Sequence, residues 1–361
     1  MTAEAPPLTS ASGFDFTALT DVQTAEDVQA FARSIQKAIG SRRQQSVTAR
    51  SIALVVGLGV VIVLCAIGIW IVVDYTIVTH LEGGIVVGVA IGVAFLLFLA
   101  LGCVHIMYRD ASFGGHWDRA YRLFRFARAN GLNFTWEAVG ATMAGSIFTL
   151  GKQGVAYEVM AAGSNGRPVQ FGNYRRDGAS LSNLSRWQWG FLQIKLDRAM
   201  PHMIVEARRN RGPFTNRVGT DLVRGQALSL EGDFDRHFTL YAPKEYERDA
   251  LYVFAPDLMA LLIDRISAFD VEIIDDWLFV YSHKPWDLLR PETHVRLAEI
   301  VQTVARKTVR QTERYADPRV GDSRINAVGA GGRRLVRGTS IIVIVSTIYW
   351  VLRVLLSIHG G

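Results

Sequence analysis

The residues best able to do chemistry gather late in the chain. Asp264, Asp270, Glu272, Asp275 and Asp276 crowd into one short stretch, the last two directly after the run Val271-Glu-Ile-Ile274. Paired carboxylates at the end of a strand offer the hard oxygen ligands that a divalent cation takes. His202, His237, His283 and His294 are dispersed. None has the two-histidine helical spacing of a zinc hydrolase, so only folding can bring any of them to the carboxylates. An enzyme built here would use Asp275, Asp276 and His283 as its acid, base or metal ligands. A second constellation is basic. Arg236 and Arg248 flank the stretch Phe238–Phe254, and with Arg175 and Arg176 they would form an anion pocket. The competing reading is an Arg/Asp network, including Asp249, that fixes a turn.

Several chemistries are absent from the sequence. There is no G-x-S-x-G elbow, no Walker A loop and no cysteine nucleophile in the central region. The two cysteines, Cys65 and Cys103, both lie in apolar runs, so neither a disulfide framework nor a cysteine zinc site is expected. Gly329-Ala-Gly-Gly332 precedes Arg333-Arg334, but no strand leads into it, and a flexible linker is the simpler reading. The string Val271–Asp276 resembles the strand-then-Asp-Asp of nucleotide-sugar transferases. Another apolar run follows at once, however, and a hairpin turn that favours aspartate explains the pair. No metal and no cofactor are therefore expected. The leading expectation is a non-enzymatic binding or scaffold module; the alternatives are an enzyme using Asp275, Asp276 and His283, or a subunit of a transport complex.

The elements that must position these residues follow from periodicity. Thr24-Ala-Glu-Asp27 reads as a helix N-cap, and Val28, Phe31, Ile35 and Ile39 give an amphipathic helix over 25–40. Trp117–Asn130 reads as a second helix, ended by Gly131. Ser146–Leu150, Val155–Ala161 and Pro168–Tyr174 read as strands. In Trp187–Leu196, Trp187, Trp189, Phe191 and Gln193 share one face, while Gly190, Leu192, Ile194 and Leu196 share the other. Met203–Ala207 and Leu228–Leu230 are further strands, and Arg208–Val223 is a surface loop. Phe238–Tyr241 and Leu251–Phe254 read as strands, Pro256 opens a helix, and Val271–Ile274 and Trp277–Tyr281 read as a hairpin around Asp275-Asp276. A closing helix runs from Pro291 to Arg314. The order β-β-α-β-β-α indicates an α+β domain over 108–316 with a largely antiparallel sheet and packed helices.

Three apolar stretches flank this domain among the 361 residues: Ser51–Val73, Gly84–Met107 and 339–358. Each approaches the ~20 residues a membrane-crossing helix needs. The fold class expected from the sequence is therefore membrane-anchored: an N-terminal transmembrane helical hairpin over 51–107, the α+β domain, a Gly/Arg-rich tether over 317–338 and a third transmembrane helix. Gly84, Gly88 and Gly92, four apart, would let the first two helices pack closely. Arg42 and Arg43 precede the first stretch, and Arg333, Arg334 and Arg337 precede the third, whereas the 74–83 connection holds Asp74 and Glu82 but no basic residue. By the positive-inside rule the N-terminal tail (1–50) and the domain would be cytoplasmic in a multi-pass inner-membrane protein. The net charge of +6 is modest for nucleic acid. It suits the bilayer and its anionic inner-leaflet lipids, with a protein partner or a second copy of the chain also admitted.

Longer strings carry a family resemblance. They are Gly232-Asp-Phe-Asp-Arg-His-Phe-Thr-Leu-Tyr-Ala-Pro243, Glu247–Met259, Arg186-Trp-Gln-Trp-Gly-Phe191, Leu196–His202, Asp275–Tyr281 and Arg310–Tyr315. Over residues 110–316 the chain resembles a family of uncharacterised, especially actinobacterial, membrane-anchored proteins with a cytosolic domain of unknown function. The resemblance implies a paired-transmembrane architecture and brings no catalytic residues.

Overall fold

The long helix Phe113–Ala129 stops at Gly131, whose φ of +64° only glycine adopts freely, and the first strand begins one residue later. The structure is a computed structural model that describes residues 13–39, 92, 113–140, 143–149, 154–162, 167–177, 186–210, 222, 224–230, 232–322 and 324–336. The chain divides into two units, Val22–Arg122 and Met1–Asp21 with Leu123–Gly361. In the smaller unit the helix Ala25–Ile39 starts at Thr24 as its sequence implies. Thr24 Oγ1 donates to Asp27 Oδ2 at 2.6 Å and accepts from the Asp27 N–H at 3.3 Å, and Phe31 lies 5.4 Å from the Tyr121 ring.

The larger unit is an antiparallel sheet with helices against it. Its strands are β1 (Leu132–Val139), β2 (Val155–Ala162), β3 (Val169–Asp177), β4 (Arg186–Ala207), β5 (Ala227–Leu228), β6 (Phe238–Tyr241) and β7 (Asp270–Ser282). The order is β1-β2-β3-β4-β6-β5, with β7 also paired to β4. The 22 residues of β4 organise this sheet. One edge pairs with β7 from Gly190 to Val205; the other pairs with β3 near its start and β6 near its end.

Both long strands change face midway. Trp189 and Phe191 belong to one apolar layer with Ile204, although the first two are odd-numbered and the third even. Leu192, Ile194 and Leu196 lie opposite, with Met203, Val205 and Ala207. In β7, Ile274 shares a layer with Phe279 and Tyr281, while Val271 and Ile273 share the other with Leu278 and Val280. The register breaks between Lys195 and Met203 opposite Asp275, whose φ is +52°. Extra residues at a bulge reverse the inside–outside alternation of everything beyond them. His202 and Glu272 thereby face the layer that also holds Tyr281.

Four local expectations are corrected. Val271–Tyr281 is one bulged strand, not a hairpin: Asp275 and Asp276 sit inside β7 and the chain does not reverse there. Leu251–Phe254 lies in and just after the helix Glu247–Val253; Asp249, Ala250 and Val253 are buried at helical spacing and Leu251 and Tyr252 are exposed. Ser146–Thr149 is a single helical turn, because five residues are too few for the apolar pattern to distinguish strand from helix. Residues 317–322 and 324–336, the described part of the expected tether, are held against the domain. Val328 and Leu335 are buried, and Asp317 accepts hydrogen bonds from the Tyr246 hydroxyl (2.8 Å) and the Gly329 N–H (2.9 Å). The closing helix does follow its periodicity, as Pro291–Ile300, a π turn at Val301–Ala305, and Arg306–Thr312. Strand β1 (Leu132–Val139) is an element the sequence pattern does not announce.

The expected membrane-anchored fold class is also corrected. Among the described residues no helix is long and apolar enough to cross a membrane. Phe113–Ala129, for example, has 17 residues and carries Arg119, Arg122, Arg125 and Arg128. The stretches 51–73, 84–107 and 339–358 that prompted the expectation lie outside the described residues, apart from Gly92. The architecture that stands is the antiparallel sheet domain with its helices. The expected multi-pass inner-membrane location, and the cytoplasmic placement derived from it, conflict with that finding.

His294 is buried where the helices meet the sheet. Its Nε2 donates to the Leu288 carbonyl at 2.7 Å, Nδ1 has no partner, and the rings of Phe126, Phe171, Phe16 and Phe14 surround it at 4.2–6.3 Å. Burial depresses its pKa to about 4, against the Leu288 hydrogen bond. The imidazole is neutral in the fold, while the unfolded chain takes up a proton near pH 6.5. Its contribution to stability is therefore full above about pH 6.5 and declines as pH falls toward 4, by about 3 kcal/mol in all. Urea unfolding of His294→Phe at about pH 7.5 and about pH 4.5 should show a smaller acid loss than the parent by that order. Equal acid losses would contradict the assignment.

Candidate functional site

Folding brings two histidines to two carboxylates. Asp270 and Glu272 alternate on β7, both fully buried. Asp270 accepts the Ala207 N–H at 2.8 Å and meets His283 Nε2 at 2.9 Å. Glu272 meets His202 Nε2 at 2.7 Å and the Ser146 hydroxyl at 2.5 Å through one oxygen. Its other oxygen accepts the Ser146 N–H at 2.8 Å and the Tyr281 hydroxyl at 2.6 Å. Ser146 reaches the strand because the β1–β2 connection lays the turn Ser146–Thr149 over this face. Gly145 must lack a side chain there, since a Cβ would collide with Tyr281 Oη.

The electrostatics follow from this geometry. Burial alone would raise the Glu272 pKa, but the hydrogen bonds from His202, Ser146 and Tyr281 outweigh it and hold the carboxyl below its ordinary value. Burial and the adjacent Glu272 push the Tyr281 phenol well above its usual range. His202 Nδ1 accepts the Leu335 N–H at 3.0 Å. That nitrogen therefore carries no proton, and Nε2 is the one that donates to Glu272.

The arrangement is not a nucleophilic triad. Ser146 donates to the carboxylate and not to the imidazole, and the histidine's second nitrogen faces the Leu335 amide where a triad places the nucleophile's hydroxyl. Glu272 has every lone-pair direction occupied. The other expected site residues lie apart from this cluster. Asp275 is held by both terminal nitrogens of Arg334 at 2.8 and 3.0 Å, and Asp276 pairs with Lys195 at 2.5 Å. Among the described residues no group of three or more metal-ligating side chains could hold an ion. The alternative set Asp275, Asp276 and His283 is thus divided among three separate partners.

Nor do the four arginines meet. Arg175 and Arg176 pair across to Gln188 and Trp187 at the start of β4, whereas Arg236 and Arg248 flank β6, which pairs with Ile204–Ala207 at its end. Arg175 bonds Glu137 at 2.7 Å and Arg236 bonds Asp233 at 2.9 Å. Of the expected helix-packing glycines, Gly84 and Gly88 lie outside the described residues; a Cβ at Gly92 would meet nothing within 4 Å. Arg42, Arg43 and Arg337 also lie outside them. Arg333 donates to the Val328 carbonyl at 2.9 Å and Arg334 holds Asp275.

Sequence reasoning missed Ser146, Tyr281 and Gln226. Gln226 Nε2 donates to the Val336 carbonyl at 2.8 Å while its Oε1 accepts the Val336 N–H at 2.8 Å. Asn130 grips Asp15 in the same two-point way, and Asn173 grips Trp286. No local pattern announces a carboxamide that will bracket a backbone more than a hundred positions away.

Glu272→Gln keeps the shape but replaces one acceptor oxygen with a donor amide facing donors. It should lower stability by about 3–5 kcal/mol, and Ser146→Ala by about 1.5–3 kcal/mol, read from urea midpoints. The Glu272 contribution is present above the unfolded carboxyl pKa and is lost as pH falls through the lower folded value. A Glu272→Gln protein as stable as the parent would show that the network holds nothing together.

No family model matches the chain, and no curated protein matches it. Among solved structures, the chain is similar to the crystal structure of the mycobacterial trehalose monomycolate transport factor A, TtfA, with 12% identity and a TM-score of 0.33, over 51% of this chain and 94% of that one. A likeness of that size assigns neither fold nor function here.

Proposed function

We propose that the sheet domain is a non-enzymatic binding module, in which the buried acid and base groups are structural. The observation that carries this reading is the saturation of Glu272: a fully buried carboxylate with two hydrogen bonds on each oxygen. A general acid or base must exchange a proton with something that enters and leaves. Here Ser146, His202, Tyr281 and Glu272 satisfy one another, and the outermost bond, from Leu335 to His202, goes to the chain itself. Fully satisfied polar networks of this kind rigidify a core and specify one arrangement of it. The chemistry a partner could meet lies instead beyond this network, at Asp275 and the segment that Asp275 and the buried Gln226 hold.

The reading is tested with the full chain. Ser146→Ala should lower the urea midpoint, while hydrolysis of p-nitrophenyl acetate and p-nitrophenyl phosphate stays at the buffer background for parent and variant alike. Turnover by the parent that vanishes in Ser146→Ala or Asp270→Asn, with circular dichroism unchanged, would make the cluster catalytic and overturn the reading.

A further inference from the structure

The segment Arg333–Val336 lies across the sheet in neither helix nor strand, and four successive features hold it. The Arg334 guanidinium forks onto both oxygens of Asp275. The Leu335 N–H donates to His202 Nδ1. The Leu335 side chain, 6% exposed, joins the apolar layer of Ile204, Tyr241 and Ile274. Gln226 takes both backbone groups of Val336, whose own side chain is 63% exposed. A bidentate acid for a basic side chain, a pocket for one apolar side chain, and polar groups for the intervening backbone are how proteins read an extended peptide. None of these contacts requires the segment to be covalently part of the same chain.

We infer that Asp275, His202, Gln226 and the apolar layer beside them form a peptide-recognition groove, occupied in cis by Arg334-Leu335-Val336, whose partner in trans is an extended protein segment carrying Arg-Leu followed by a residue held through its backbone alone. This rests on the reading of the domain as a binding module and names its ligand class. The cis segment competes with any free peptide at the high effective concentration of a short tether, so the parent chain is self-occluded. Gly329 and Gly332 favour such a return path, because a side chain at either would collide with Tyr246. Releasing the segment exposes Asp275 to a new cation and frees the Gln226 amide to bracket another backbone. The buried Glu272–His202 pair keeps the accepting nitrogen aimed outward in both states.

The experiment uses the full-length chain and a fluorescein-labelled peptide of residues 329–336, followed by anisotropy. Arg334→Glu with Leu335→Glu ejects the cis segment. That variant should bind the peptide at least about tenfold more tightly than the parent. Adding Gln226→Ala or Asp275→Asn to it should weaken binding about tenfold, and a scrambled peptide should bind no variant. A folded ejected variant that takes no peptide, or takes the scrambled one equally, overturns the inference. A second measurement decides the matter if that variant does not fold. Excess unlabelled peptide added to the parent should speed hydrogen exchange at Leu335 and Val336 in proportion to dose, and unchanged exchange overturns the inference. Failure of both peptide tests with no turnover on the ester substrates removes this groove alone. Turnover lost in Ser146→Ala removes the binding-module reading itself.

Discussion

One buried negative charge sets the terms for the layer around it. Glu272 sits at 0% exposure in the middle of a sheet, where an unpaired carboxylate would cost several kcal/mol. Four donors from three residues, Ser146 and His202 far away in the chain and Tyr281 further along the same strand, remove that cost. Each donor is then constrained in turn. The turn at Ser146 must lie flat on the sheet, Gly145 must have no side chain, Tyr281 must point inward, and His202 must present Nε2. Because Nε2 holds the proton, Nδ1 is left as an acceptor, and the amide that fills it belongs to Leu335. The charge thus reaches through two hydrogen bonds to fix the path of the C-terminal segment.

The bulges make this possible. Without the register breaks near Met200 and Asp275, His202 and Glu272 would face the layer that holds Leu192 and Val280. That layer is packed by Leu258, Leu262 and Leu297. A conventional pair of strands would turn the Glu272 carboxylate away from Ser146 and Tyr281. The positive φ of Asp275 is the local conformational cost of the reversal, and the bidentate bond from Arg334 holds that residue in place.

A second device recurs. Asn130, Asn173 and Gln226 each bracket one backbone residue with both ends of a carboxamide, fastening Asp15, Trp286 and Val336. Each bracket imitates one rung of a β-ladder for a segment that is not a strand. The N-terminal strap, the loop after β7 and the C-terminal segment therefore dock without extending the sheet. Such docking satisfies the backbone of each strap and leaves its side chains to fill apolar gaps, as Phe14 and Phe16 do around His294.

Much of the local structure was legible in the residues. The helix caps at Thr24 and Gly131, the alternation through Trp189 and Leu192, and the closing helix after Pro291 all depend on neighbours a few positions away, and such interactions are written in spacing. The acidic and histidine residues that meet were also visible as candidates. Their pairing was not, because it joins β4 to β7 and Ser146 to Glu272 across distances no periodicity spans. The apolar run Leu251–Phe254 fits strand or helix alike; burial of Asp249 and Ala250 decided for helix. Asp275-Asp276 has the composition of a turn, but pairing with Met200 and Lys195 kept it within a strand. The same holds for the three apolar stretches: length and hydropathy alone prompted a membrane architecture, and no described helix supports one. The sequence by itself determined the long helices with their caps, the alternation of the longer strands and which side chains are chemically able. Tertiary structure alone decided which of those side chains touch, since a buried charge selects its partners by distance and burial, and both exist only after the strands have paired.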